Sequence, residues 1–505
     1  MKYRTLFLSL FFLASAFGGT KKPNVIFILV DDMGWTGMSL KADNQRSDSK
    51  SDFYETPHLA QLAKEGVSFS QAYAPAPMCT PSRASFLTGK SPAQLHVTSP
   101  GPVFPTKSTY RIVPVQHKNY LEKKEITIAE ALKKKSYRTA HFGKWHLKSD
   151  GPGEHGFDVH DGETGNGGPG QYKDPNPKDI FAMNKRAISF MKDSLRRKKP
   201  FYLQLSHYAV HSPSEALEST NAEYSKKAAG SKHSNVDYAA MTKDFDRSVG
   251  EILATIKDLK IEDNTYVIFM SDNGASTRGS KKENLPLAQG KASLYEGGIR
   301  VPLIISGPSI QKNIYSKEAV IGWDIFPTIC EWTSAKKSKS IEGKSLAKLL
   351  EGKLAKLKRL ALYFHFPHYG KGAKQKPQSA IVSGKYKLIK DYDEGSLKLY
   401  DLSKDLEEQN DLSQKKKKTT EKLHEKLLSY LKKVRAQLPQ KHRSYSKEEA
   451  EKEAKSKSPF RKRFDKNTDG QVSRAEFTGP DRRWDKLDKN EDGVISSDEW
   501  PKAAK

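Results

Sequence analysis

The chain has 505 residues and two cysteines, with 87 Lys and Arg against 60 Asp and Glu for a formal net charge of +27. That length allows one large hydrophobic core with appendages, and two cysteines exclude a disulfide-stapled scaffold. The positive balance suits a polyanion, whether nucleic acid, an anionic membrane or a sulfated polysaccharide, but does not choose among them, and runs such as 415–418 also suit a solvated helix face.

Residues 1–18 read as a secretory leader. Lys2 and Arg4 precede an apolar run over 6–13 and the small residues Ala14-Ser15-Ala16, and the run is too short to span a membrane. No later apolar stretch approaches a span, so the mature protein is expected to be exported, secreted or periplasmic. Residues 24–30 form a continuous apolar run, as a buried parallel strand requires, and stop at Asp31-Asp32. A helix over 56–66 follows, with Gly66 past its end. At 77–83 comes Pro-Met-Cys-Thr-Pro-Ser-Arg. Thr80 suits an N-cap and Pro81 the first helical position, which puts Arg83 one turn after Cys79 over an anion-attracting helix start.

A helix over 126–133 and a strand over 136–142 lead into Gly143-Lys144-Trp145-His146-Leu147, where Lys144 and His146 project to one side if the strand continues. A third apolar strand over 201–206 leads into His207 and His211, the latter directly before Ser212-Pro213. Apolar residues at helical spacing from Met241 to Leu259 form a core stripe. The run over 265–270 repeats the first pattern and ends in Ser271-Asp272-Asn273-Gly274. Sites in open α/β sheets lie beyond the carboxyl ends of strands. Two neighbouring strands ending this way would bring together three carboxylates and an amide oxygen, a repulsion that a hard cation, calcium or magnesium, relieves. Each acidic pair alone also fits a helix cap or a turn. Further on, Gln289-Gly290-Lys291 precedes Tyr295-Glu296-Gly297-Gly298-Ile299-Arg300-Val301-Pro302, where Lys291 is offered as a point charge to an anion.

These stretches resemble the formylglycine-dependent sulfatases, arylsulfatase-like members of the alkaline phosphatase superfamily. The likeness rests on Cys-x-Pro-Ser-Arg at 79–83 followed by Ala-Ser-Phe-Leu-Thr-Gly-Lys, on Gly-Lys-Trp-His-Leu, on the His before x-Pro, and on Gly-Lys with Tyr-Glu-Gly-Gly-x-Arg-x-Pro. It runs from about 22 to 412. It implies that a formylglycine-generating enzyme oxidises Cys79 to 3-oxoalanine (formylglycine), whose hydrate is the nucleophile. It implies one calcium ion on Asp31, Asp32, Asp272, Asn273 and the modified Cys79. Arg83 and Lys144 would hold the nucleophile, with Lys144 also on the sulfate, and His146 would be the base that later releases sulfate. The x-Pro pattern selects His211 over His207 as donor to the leaving group, with Lys291 binding sulfate or assisting that protonation. Cys330 sits in an apolar helical stretch and reads as packing, because pairing it with Cys79 would consume the nucleophile. The segment 33–40 lacks the acidic residue many relatives carry. Neither the polar segment 96–123 nor the glycine-rich 151–170 matches residue by residue, which leaves substrate recognition unassigned.

Short strands at 379–389 and 397–402, then a helix with Leu423, Leu427, Leu428, Leu431 and Val434 on one face, resemble the small C-terminal sulfatase subdomain. Residues 439–458 read as a charged linker. Beyond it, Asp465, Asn467, Asp469, Gln471, Ser473 and Glu476, and then Asp488, Asn490, Asp492, Val494, Ser496 and Glu499, occupy the ligand positions of two EF-hand loops, each with Gly at position 6. The expected fold is α/β: an alkaline-phosphatase-like, mostly parallel sheet sandwiched by helices, a smaller antiparallel-sheet subdomain and an EF-hand-like tail. The expected domains are a leader at 1–18, a catalytic domain at 22–345, a subdomain at 346–438, the linker at 439–458 and the tail at 459–505. The expected activity is hydrolysis of sulfate esters of a sulfated polysaccharide or its oligosaccharides. The alternatives are a phosphodiesterase or phosphonate hydrolase using the same aldehyde, and a non-catalytic calcium-dependent glycan binder. No nucleic-acid recognition motif accompanies the charge.

Overall fold

Strand β1 (Asn24–Val30) is apolar because both its faces are covered. Val25, Phe27 and Leu29 pack with Leu87, Leu132 and Phe326, while Ile26, Ile28 and Val30 pack with Leu59, Met183 and Phe245. Burying each such side chain contributes about 1.5–3 kcal/mol, so neither face of β1 accommodates a charge. The computed structural model describes residues 22–102, 107–113, 115–148, 150–166, 174–277, 282–369, 376–449, 459–466, 471–489, 493–495 and 499. The leader at 1–18 and the tail positions Asn467, Asp469, Asn490, Asp492 and Ser496 lie outside them.

Among the described residues β1 sits in an eight-stranded sheet with β2 (Gly66–Phe69), β3 (Arg138–Gly143), β4 (Val159–His160), β5 (Phe201–Ser206), β6 (Thr265–Ser271), β7 (Leu303–Ser306) and β8 (Ile314–Ser316). The order is β8-β2-β7-β6-β1-β5-β3-β4, and β7 alone runs against its neighbours. Helices Pro57–Lys64, Ile180–Arg196 and Val236–Asp258 cover one face. Helices Cys79–Thr88, Ile128–Lys133 and Ile325–Thr333 cover the other. Both cysteines are free, and Cys330 belongs to this second core.

Strands β9 (Leu362–Phe366), β10 (Gln378–Ser383), β11 (Tyr386–Asp391) and β12 (Leu397–Asp401) form an antiparallel sheet. One face meets Leu423, Leu427 and Leu431 of helix Lys417–Lys433, and the other meets Tyr73, Leu294 and Ile299 of the larger domain. Leu428, expected on the buried stripe, is exposed, because it follows Leu427 by one residue, 100° round the helix. Leu346, Leu350 and Leu357 pack in the larger core.

The start of the expected linker is not a free strand of chain. Gln440–Lys441 pairs antiparallel with Ile112–Val113, and the His442 and Ser446 N–H groups donate to Arg111 O and Ser108 O, each at 2.9 Å. The reason lies in the backbone. Residues 111–113 offer an open edge, and a polar segment can pair with it without burying a side chain. Farther on, Phe460, Phe464, Val472, Phe477, Trp484 and Ile495 form a small core of their own, with Val472 opposite Ile495 in a short ladder.

Candidate active site

Four adjacent strands deliver the acidic and basic side chains to one end of the sheet. Val30 lies opposite Ser271, so Asp31 leaves β1 beside Asp272 leaving β6; on the other side Gly143 of β3 lies opposite Ser206 of β5. Gly143 is required, since it has φ 90° and a Cβ there would meet Ser206 O at 2.1 Å.

Helix Cys79–Thr88 starts at Cys79 with Met78 as N-cap, earlier than the Thr80 cap and Pro81 start read from the sequence. Thr80 is instead drawn away by tertiary contact, its hydroxyl donating to His146 O at 2.7 Å. Buried Cys79 Sγ lies 3.4 Å from Asp31 Oδ1, 3.9 Å from Asp32 Oδ1 and 3.2 Å from Lys291 Nζ. Arg83 and Lys144, expected to hold the nucleophile, bond to the carboxylates beside it. Arg83 donates to Asp272 Oδ2 from Nε at 3.1 Å and Nη2 at 2.8 Å, and to Lys144 O at 2.6 Å, while Lys144 pairs with Asp31. Lys291 Nζ is also held by both oxygens of Asp32, at 2.6 and 2.8 Å. Three carboxylates are thus balanced by three cations.

Burial and Asp31 push the Cys79 thiol up to about 12. Burial and Asp31 likewise push Asp272 up to about 6, against Arg83. Burial would raise Asp31 too, but Lys144, His211 and Arg83 outweigh it and hold that carboxyl well below its usual range. Burial, with Lys144 and Arg83, drives His146 down to about 2, so its imidazole is neutral. Burial also lowers His211, partly opposed by Asp31 and Asp32.

The donor set suits a hard cation. The ligand atoms of Asp31, Asp32, Cys79 and Asp272 all lie within 4.8 Å of one another. Asn273 donates its amide to Asp32 Oδ1 at 2.7 Å and Gly274 O at 3.0 Å, which leaves Oδ1 buried with no hydrogen-bond partner. A buried carbonyl oxygen without a donor beside three carboxylates fits calcium or magnesium.

A cleft of about 370 Å³ opens over this cluster, lined by Cys79, His146, His211 and Lys291 and, from the antiparallel subdomain, by Phe366 and Tyr369. His207 is buried against Phe245 with ring centroids 4.8 Å apart, whereas His211 reaches the cleft, its Nε2 3.8 Å from Asp32 Oδ2. Its Nδ1 lies 2.6 Å from Ser212 O, and a carbonyl only accepts, so that nitrogen carries a proton.

Glu296 and Arg300, part of the last motif, lie in a seam rather than the cleft. Buried Lys387 Nζ is 2.9 Å from Glu296 Oε1 and 2.8 Å from Glu408 Oε1, and Arg300 pairs with Glu296 and lies 3.0 Å from the Tyr73 hydroxyl. The adjoining Gly298 O accepts Gly274 N at 3.0 Å, which ties the seam to Asn273. Lys387, Glu408, Phe366, Tyr369 and Thr164 escaped sequence reading, as did the bond from Thr80 to His146, because no local pattern marks a partner that only the fold brings near. In the tail, the Glu476 carboxylate accepts from Lys466 N and Ser473 N at 3.1 and 3.0 Å, and that of Glu499 from Lys489 N at 2.7 Å. Asp488 Oδ1 is buried with no partner among the described residues, which fits a cation ligand.

The family model described as sulfatase matches residues 23–335, one described as N-sulphoglucosamine sulphohydrolase, C-terminal, matches 289–437, and one described as EF hand matches 485–502. A protein of Formosa agariphila named sulfatase is 29% identical over 479 residues, covering 78% of this chain and 84% of its own. The N-acetylgalactosamine-6-sulfatase of Canis lupus familiaris is 30% identical, covering 58% of each chain. A crystal structure in complex with k-i-k-neocarrahexaose shares the fold with a TM-score of 0.69 at 24% identity, covering 81% of this chain and 93% of that one.

Proposed function

This chain belongs to the sulfatase family of sulfuric ester hydrolases, and on that premise we propose that it is an exported enzyme removing sulfate from a sulfated polysaccharide or its oligosaccharides, with Cys79 matured to formylglycine and calcium in the acidic pocket. The observation that carries the reading is Cys79 on the cleft floor, against Asp31, Asp32 and Lys291, with His146 and His211 lining the same cleft. A relative named N-acetylgalactosamine-6-sulfatase and a neighbour solved with k-i-k-neocarrahexaose support a carbohydrate substrate, as does the basic surface.

A thiol held up to about 12 is protonated at neutral pH and a poor nucleophile. Oxidised by a formylglycine-generating enzyme, the Cys79 side chain supplies an aldehyde hydrate, an oxygen nucleophile with a second hydroxyl. Calcium held by Asp31, Asp32, Asp272 and Asn273 supplies positive charge to the oxygens that gain negative charge. Lys291 brings a cation to the sulfate side of the cleft, Lys144 holds Asp31 from beneath, and Arg83 holds Asp272 and the Lys144 carbonyl in place. One hydroxyl oxygen of the hydrate bonds to sulfur and yields its proton to the acidic pocket. His211, in its imidazolium form with Nδ1–H held by Ser212 O, gives the Nε2 proton to the ester oxygen as that oxygen's bond to sulfur breaks. Neutral His146 then takes the proton from the hydroxyl left on the Cys79 side chain, and sulfate departs as the carbonyl re-forms. The two EF-hand loops take calcium to order the tail rather than to perform chemistry.

The test is peptide mass analysis of active protein, together with sulfate release from 4-nitrophenyl sulfate and a panel of sulfated polysaccharides and their oligosaccharides. Aldehyde in place of thiol, and loss of all turnover in Cys79→Ala, are expected. Active enzyme carrying an unmodified thiol, or faster turnover of phosphate diesters than of any sulfate, overturns the proposal.

A further inference from the structure

Among the described residues His146 has no side-chain orienter: its Nδ1 is buried with no hydrogen-bond partner there, so the backbone that carries the ring sets its direction. That backbone is unusual, with His146 in the left-handed region at φ 57°, which a non-glycine residue holds only when its surroundings impose it. The contacts that impose it converge on one residue. The buried Thr164 hydroxyl donates to Gly143 O at 2.6 Å and accepts from Trp145 N at 2.9 Å, and the Thr164 carbonyl accepts from His146 N at 2.7 Å. Other groups of the turn are taken from elsewhere: Gly143 N by Asp161 Oδ2 and Lys144 N by Ser206 O, each at 2.7 Å, Lys144 O by Arg83, and His146 O by Thr80. Thr164 supplies three of these seven bonds, and it lies in the glycine-rich stretch that sequence motifs left unassigned.

We propose that Thr164 is a positioning residue for His146, aiming the imidazole at the Cys79 side chain through the backbone of residues 143–146. This rests on the reading of His146 as the base that releases sulfate. Threonine suits the task because one hydroxyl both donates and accepts, and both its partners are buried peptide groups with no water to replace it. Valine keeps the shape and removes both bonds, whereas serine keeps both bonds and loses only a methyl group.

The experiment compares full-length wild type, Thr164→Val, Thr164→Ser and His146→Ala on 4-nitrophenyl sulfate. It follows KM, kcat, the nitrophenol released in the first turnover, and sulfate mass retained on the denatured protein. In Thr164→Val the KM should stay within about twofold and the first-turnover release persist, while kcat falls about 10- to 100-fold and sulfate is retained. Thr164→Ser should restore kcat and remove the retained sulfate. Thr164→Ala carries the same comparison if the valine variant does not fold. Wild-type kcat in Thr164→Val, a loss without retained sulfate, or failure of serine to rescue overturns the inference. If His146→Ala retains sulfate and Thr164→Val does not, this inference alone falls; if His146→Ala retains none, the role assigned to His146 falls with it.

Discussion

Replacing Lys387 with methionine removes the cation that bridges two buried carboxylates at the seam between the sheets. Its ammonium lies 2.9 Å from Glu296 and 2.8 Å from Glu408, with all three side chains fully buried. After the substitution Arg300 still pairs with Glu296, but Glu408 keeps only the Glu296 N–H at 2.6 Å. Stranding a buried charge costs about 3–5 kcal/mol while that charge is present. Burial, opposed by Lys387 and reinforced by Glu296, pushes the Glu408 carboxyl up to about 7. A carboxyl raised on folding contributes stability that is complete below its unfolded pKa of about 4.3 and lost as pH rises through about 7, a ramp of at most about 4 kcal/mol. Removing Lys387 raises that carboxyl further, so the variant is penalised most above pH 7 and least near pH 5, where the pair holds a proton. Urea unfolding should therefore show a loss of about 3–5 kcal/mol at pH 8 and less than half of that at pH 5. A loss under about 1 kcal/mol at pH 8, or one independent of pH, refutes the reasoning.

His211→Ala should slow alkyl sulfates by about 100-fold more than 4-nitrophenyl sulfate, because proton donation matters most for a basic leaving group; equal loss on both would remove His211 from the acid role. Glu476→Gln combined with Glu499→Gln should leave turnover of 4-nitrophenyl sulfate unchanged and make residues beyond 459 sensitive to protease at calcium concentrations that protect the wild type. A folded double variant without turnover would place the tail in the active site.

The chemistry of the centre was legible because each of its parts is local. A strand buried on both faces must be apolar from Asn24 to Val30 and must end where charge begins, so Asp31-Asp32 and Asp272-Asn273 announced a site at the strand ends. Cys79, Lys144, His146, His211 and Lys291 each sit in a short motif whose spacing survives without knowledge of the fold, and the two tail loops repeat one pattern 23 residues apart. What escaped were particular partnerships across the chain, though the meeting of Asp31-Asp32 with Asp272-Asn273 was legible. Thr80 and Pro81 have the local chemistry of a helix start, yet the helix begins at Cys79 and Thr80 bonds to His146, because a tertiary hydrogen bond outweighs a cap worth about 1 kcal/mol. Helical spacing turns Arg83 towards Cys79, but it cannot show that the buried guanidinium bonds to Asp272 from β6. The charge run after Pro439 looked like a linker by composition, which cannot show that the edge at Ile112–Val113 stands open to it. Spacing along the chain determined which residues could react; only the tertiary structure decided which of them touch, because contact between strand ends is set by sheet order and register, which no stretch of sequence contains by itself.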